Sequence, residues 1–206
     1  MIVSVCLCGH GQSPQTQNET KGLPPRSTAA DYQAQAQTGA FTIGAEFKGH
    51  SVPTPEATLS TEEYVVVEAA LFGPPEARLR LSIEDFSLRI NGKKTPLLCA
   101  PYAVVFSSLK DPEWEPPVKA ESKSKTSIGG GGQNDANMPP PPVHIPIEVQ
   151  RAMQQRVQKA ALPEGDRALP EAGLIFFQYR GKAQGIHSVE LIYKGPAGTA
   201  TLALQP

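Results

Sequence analysis

Strand-forming texture lies on both sides of a segment that cannot join a core, and this arrangement limits the folds open to the chain. Ahead of the break, Phe41, Ile43, Ala45 and Phe47 alternate with Thr42, Gly44, Glu46 and Lys48, the period of two of a half-buried strand. Residues 62–72 are rich in β-branched and aromatic side chains and are closed by Gly73-Pro74-Pro75, which makes them the best central strand. Phe86, Leu88 and Ile90 then alternate with Ser87 and Arg89 ahead of Asn91-Gly92. That pair suits a type I′ hairpin turn, where both central residues need positive φ. Residues 97–109 are apolar but aperiodic and read as a strand followed by a short helical turn. Beyond the break, residues 173–180, 187–194 and 199–204 read as three strands, with Gly195-Pro196-Ala197-Gly198 as the last turn. Neither set closes a sandwich alone. The two combine most simply into one two-sheet domain over 39–110 and 165–206, a mainly β fold with the central segment inserted.

The break itself, 111–145, reads as a disordered Gly/Pro-rich insertion. It runs from Asp111-Pro112-Glu113-Trp114-Glu115-Pro116-Pro117 through four glycines at 129–132 to four prolines at 139–142. A helix over 146–162 follows, with Pro146 in its first turn and Pro163 past its end. Val149, Ala152, Met153, Val157, Ala160 and Ala161 form one apolar stripe, expected to pack on the domain's own sheet. Its small side chains disfavour the alternative of a helix lying on a membrane surface. Residues 12–38 hold hardly a large apolar side chain and read as a flexible lead. The apolar stretch within 1–11, ending at Gly9-His10-Gly11, reads either as the tail of a secretory signal peptide without its basic region or as a frayed terminus or first strand.

The order of these pieces carries a resemblance. The strand Tyr64-Val65-Val66-Val67-Glu68-Ala69 is followed by the hairpin from Asp85 to Lys93, then by Leu169 to Phe177, and last by Val189-Glu190-Leu191-Ile192-Tyr193. This resembles the telokin-like extracellular β-sandwich domains of bacterial envelope proteins, over 39–109 and 165–206, and departs from them by the long insertion. The resemblance implies an immunoglobulin-like antiparallel β-sandwich, non-enzymatic and exported, and supplies no catalytic residues to carry over.

The side chains themselves argue against most chemistry. The four histidines, His10, His50, His144 and His187, are scattered, and no Gly-x-Ser-x-Gly elbow is present, so no catalytic residue is assigned. Cys99 sits in an apolar run and reads as a buried, inert thiol. Cys6, Cys8 and His10 are three soft ligands close together, but no second cluster completes a zinc site, so no metal or cofactor is expected. Gly129 to Gly132 lack the Lys and Ser or Thr that a phosphate loop requires. The candidate interaction residues are Trp114 with Asp111, Glu113 and Glu115, an acidic loop that could alternatively offer oxygens to calcium, and Met153 and Val157 on the helix stripe.

Composition excludes two classes of partner. With 19 Lys plus Arg against 20 Asp plus Glu there is no basic field for nucleic acid. No run of about 18 apolar residues marks an integral membrane span. The expectation is a non-catalytic, exported module, periplasmic or extracellular, that binds another envelope protein or a surface polymer, with a lipid-anchored form and a cytoplasmic location as the alternatives left open. The alternative is a structural or assembly accessory docking through its inserted helix, with a hydrolase or metal enzyme third. The oligomeric state is left open.

Overall fold

The computed structural model describes residues 21–114 and 145–206. The first half of the chain contributes β1 (Ala34–Thr38), β2 (Phe41–Gly49), β3 (Ser51–Pro53), β4 (Thr58–Thr61), β5 (Tyr64–Phe72), β6 (Arg78–Leu81), β7 (Phe86–Ile90), β8 (Leu97–Ala100), the single helical turn α1 (Tyr102–Val105) and β9 (Leu109–Lys110). The second half contributes α2 (Ile147–Ala160), β10 (Gly165–Ala168), β11 (Glu171–Gln178), β12 (Val189–Gly195) and β13 (Gly198–Leu204). The protein is mainly β, with antiparallel pairing throughout its ladders. No helix among the described residues is long and apolar enough to cross a membrane.

Eight strands form one sheet in the order β1-β2-β5-β11-β8-β7-β12-β13. Its two outer strands, β1 and β13, come together, so the sheet is a nearly closed barrel. At this seam side chains do the joining: Thr38 Oγ1 donates to the Ala197 carbonyl at 2.7 Å and Gln33 Nε2 to the Gln205 carbonyl at 2.9 Å. The sequence led to two facing sheets, and the main sheet among the described residues is this single curled one. The reason is that alternation along a strand reports which face is buried, and a barrel and a sandwich bury the same face.

The barrel interior is filled from every wall, by Ile43, Val65, Val67, Leu71, Phe86, Leu88, Ile175, Phe177, Leu191 and Tyr193 among others. A second apolar layer lies outside β5 and β11. There Tyr64, Val66, Leu174 and Phe176 pack against Met153, Val157 and Ala160 of α2, with Val52, Leu59, Val105 and Leu109. The apolar stripe of α2 therefore faces the sheet, and the helix is a layer of the fold and not an appendage. Because β5 is covered on both faces, Tyr64 through Leu71 are all buried. The Asn91-Gly92 turn forms with φ of 53° and 64°, but β7 and β8 begin to pair only at Leu88 and Leu97. Arg89 and Ile90 pair with β12 instead, and Asn91 Oδ1 accepts the His187 and Ser188 amides at 2.7 and 3.2 Å.

The lead expected to be flexible over 12–38 is structured from residue 21 onward, a correction to the composition argument. β1 pairs with β2 along its whole length, from Ala34↔Ala45 to Thr38↔Phe41. Its contribution to the interior is small, Ala34, Ala36 and Thr38, so a reading weighted toward large apolar side chains misses a strand held mainly by its backbone ladder. Residues 12–20 lie outside the described residues, as do 1–11.

A charge cluster anchors the same segment to the barrel's outer face. Arg26 lies 4.4 Å from the Tyr32 ring centroid and bonds Glu46 and Glu68, while Lys48 Nζ reaches the same two acids at 2.7 and 3.2 Å. Glu68 is only 7% exposed, so the two cations compensate a charge that would otherwise be costly to bury. Burial raises the Glu46 carboxyl, but the bonds from Lys48 and Arg26 outweigh it and hold the group below its ordinary value. A lowered folded value means stability present above the usual Glu range and lost as pH falls through the folded value. Wild type is expected to be more stable than Glu46→Gln at pH 7, with the advantage shrinking steadily toward pH 3. Urea unfolding midpoints of both proteins across that range check it, and a gap independent of pH would refute the charge role.

Candidate functional site

A cavity opens where the barrel ladder is interrupted. β8 pairs with β11 at only two positions, Phe176↔Ala100 and Phe177↔Cys99. Pro101 follows, a residue without an amide hydrogen, and the chain turns away into α1. Farther along, the exposed edge of β11 is taken by other segments. The Leu162 amide donates to the Leu174 carbonyl at 2.9 Å and the Leu23 amide to the Ala172 carbonyl at 2.8 Å. Leu162 comes so close that a Cβ on Gly173 would lie 2.4 Å from the Leu162 Cα, which is why β11 carries glycine there.

Between the departing β8 and the arriving Leu162 lies a cavity of about 310 Å³. Its apolar lining includes Ile83, Ala100, Leu162 and Phe176, and its charged lining is Glu164 and Arg167. Each charge has a distinct local task. Glu164 Oε1 accepts the Ile83 amide at 3.2 Å, at the start of the 3₁₀ turn Ile83–Asp85. Arg167 Nε donates to the Glu164 carbonyl at 3.0 Å, and among the described residues its two Nη groups have no acceptor. Tyr102, also on the lining, packs its ring on Phe106 with centroids 5.8 Å apart. Glu171 stands nearby: burial raises its carboxyl and the Arg167 charge pulls it back.

The residues singled out from the sequence fall elsewhere. Asp111 braces α2, its carboxylate 3.9 Å from Arg156 Nη1 and accepting the Glu113 amide at 3.0 Å. Arg156 also reaches Glu56 at 3.8 Å, so the small sheet β3-β4-β9 and the helix are tied by charge. Trp114 is half-buried and its amide donates to the Asp111 carbonyl at 3.2 Å, while Glu113 is exposed. Glu115 lies outside the described residues. Met153 and Val157 are 3% and 0% exposed, pressed onto the sheet. The structure therefore brings Asp111 to the same helix as Met153 and Val157, but it turns those two inward.

The cavity residues carried no sequence signal. Tyr102 sits in an aperiodic run and Arg167 on the short strand β10, and only the two prolines, Pro101 and Pro163, mark the places where the ladder changes hands. The histidines do not gather there. His50 Nδ1 and Nε2 lie 2.8 and 3.0 Å from the Tyr64 and Gly181 carbonyls, and His10 and His144 are outside the described residues. Among the described residues no group of three or more His, Cys, Asp or Glu is arranged to hold a metal ion. The Cys6, Cys8 and His10 trio lies outside them.

No family model, curated protein or solved structure matches the chain. The fold defines a mainly β protein built on a nearly closed antiparallel barrel with a helical outer layer.

Cys99 lies against the barrel interior beside this ladder interruption, and burial pushes its thiol up to about 12. At pH 8 the thiolate that attacks electrophiles is therefore scarce. Iodoacetamide labelling followed at the Cys99 peptide by mass spectrometry should be at least about ten-fold slower in the native protein than in urea. Equal rates would show the site to be open.

Proposed function

We propose that this chain is a non-catalytic binding module of the cell envelope that takes up its ligand at the barrel's ladder interruption. The observation that carries the reading is the cavity itself, walled by backbone that is fixed on both sides through β8 and Leu162. Small-molecule sites are typically such pre-formed concavities with an apolar wall and a few placed polar groups, and about 310 Å³ is at the small end of their range. The signal-like start of the sequence supports export. The telokin-like, immunoglobulin-like relationship belongs to the same proposal. Its supports are the Asn91-Gly92 turn after β7 and the placement of Tyr193 near the end of β12, packed on Phe86 at 5.1 Å between centroids.

Uptake of a neutral apolar fluorophore, N-phenyl-1-naphthylamine, tests the reading. Fluorescence should rise and saturate near one probe per chain, and Ala100→Phe, which fills the cavity, should weaken uptake at least about ten-fold while the circular dichroism spectrum is retained. Equal uptake by both proteins would overturn it.

A second reading, an accessory docking through α2, is favoured by one feature. Ile147, in the first turn of α2, is 55% exposed and Val104 of the neighbouring α1 is 49% exposed. Since Met153, Val157 and Ala160 belong to the core, removing the helix would unfold the protein, and the proper probe is the surface variant Ile147→Glu. Docking through this helix predicts that Ile147→Glu releases co-purifying envelope proteins without altering the unfolding midpoint. Retention of all of them would dismiss that reading.

A further inference from the structure

The lining of the cavity specifies more than apolarity, and the inference drawn from it rests on the binding reading above. Arg167 is the one charged donor on that lining, and its position is fixed from the side: Nε is held by the Glu164 carbonyl at 3.0 Å, which leaves the Nη groups for another acceptor. A guanidinium presents paired N–H groups in a plane, the geometry that matches a carboxylate with two parallel bonds. Glu164 does not supply that acceptor in the described structure. Its Oε1 is directed to the Ile83 amide at 3.2 Å, with the Ser82 hydroxyl at 3.5 Å.

We propose that the cavity binds a small monocarboxylate whose apolar body lies against Ile83, Leu162 and Phe176 and whose carboxylate pairs with Arg167. Each part of the ligand follows from a part of the wall. The volume of about 310 Å³ limits the body to a chain of octanoate's length or a compact ring system. The apolar side chains reward a body without polar groups. The single guanidinium rewards a single negative charge, because Glu164 on the lining and Glu171 beside Arg167 would repel a second one. A dianion such as a phosphate monoester is thereby disfavoured, and a neutral alcohol of the same body leaves the Nη groups without a charged acceptor.

The test is displacement of N-phenyl-1-naphthylamine from the full chain at pH 7.5 by octanoate and by 1-octanol, which share a body and differ in the head. Octanoate should displace the probe at a concentration at least about ten-fold lower than octanol, the scale of a charge-assisted bidentate pair. Arg167→Gln should erase that preference and leave displacement by octanol unchanged, which also shows that the variant is folded. Arg167→Lys, which keeps the charge and loses the planar fork, should retain only part of it. Equal displacement by the two compounds in wild type, or a preference that survives in Arg167→Gln, would overturn the proposal while leaving the binding module standing. Failure of the probe to bind at all would overturn both.

Discussion

The antiparallel pairing of β5 with β11, from Tyr64↔Gln178 to Leu71↔Glu171, is the constraint on which the rest of the structure depends. Both strands are apolar on both faces, so no single-layered sheet could shelter them. One face is covered by curling the sheet into a barrel, the other by α2, α1 and the small sheet β3-β4-β9. The outer layer is therefore a requirement of the central pair. Where the layer thins, near Glu46 and Glu68, the surface is closed by charge and by Tyr32 instead of by a helix.

Ladder satisfaction explains the cavity. A strand edge inside a packed fold must find partners for its amides and carbonyls, since an unpaired buried backbone group is costly. β8 serves the edge of β11 for two residue pairs only, and Leu162 and Leu23 serve the part beyond. Chain segments arriving from different directions cannot close the space between them as a single strand would. The gap left between β8 and Leu162 is the cavity. Elsewhere the polar accounting is complete: among the described residues every buried side-chain nitrogen and oxygen has a hydrogen-bond partner.

Much of the secondary structure was legible, for reasons that can be traced to particular residues. The alternation of Phe41 to Lys48 placed β2, the apolar run at Tyr64 to Phe72 placed the central strand, and Pro146 and Pro163 bracketed α2. The strand and helical turn expected within 97–109 correspond to β8 and α1. β1 was not legible, because alanine and glutamine in alternation carry little hydrophobic contrast. The site was hardly legible at all. Arg167 and Tyr102 lack any local pattern, and Met153 and Val157, named as candidate interaction residues, are the side chains by which α2 attaches to the sheet, as their stripe had suggested.

The sequence by itself determined the long apolar strands β2, β5, β7, β11, β12 and β13 and the turns at Asn91-Gly92 and Gly195 to Gly198, because those properties depend on neighbours within a few residues. It also determined that α2 has a face to bury. Tertiary structure alone decided that the sheet curls into a barrel, that residues 21–38 complete it, and that Arg167 shares a cavity with Tyr102 and Ile83. Those outcomes depend on which distant edges satisfy each other's hydrogen bonds. Such pairing is a property of the assembled ladder and leaves no periodic trace along the chain.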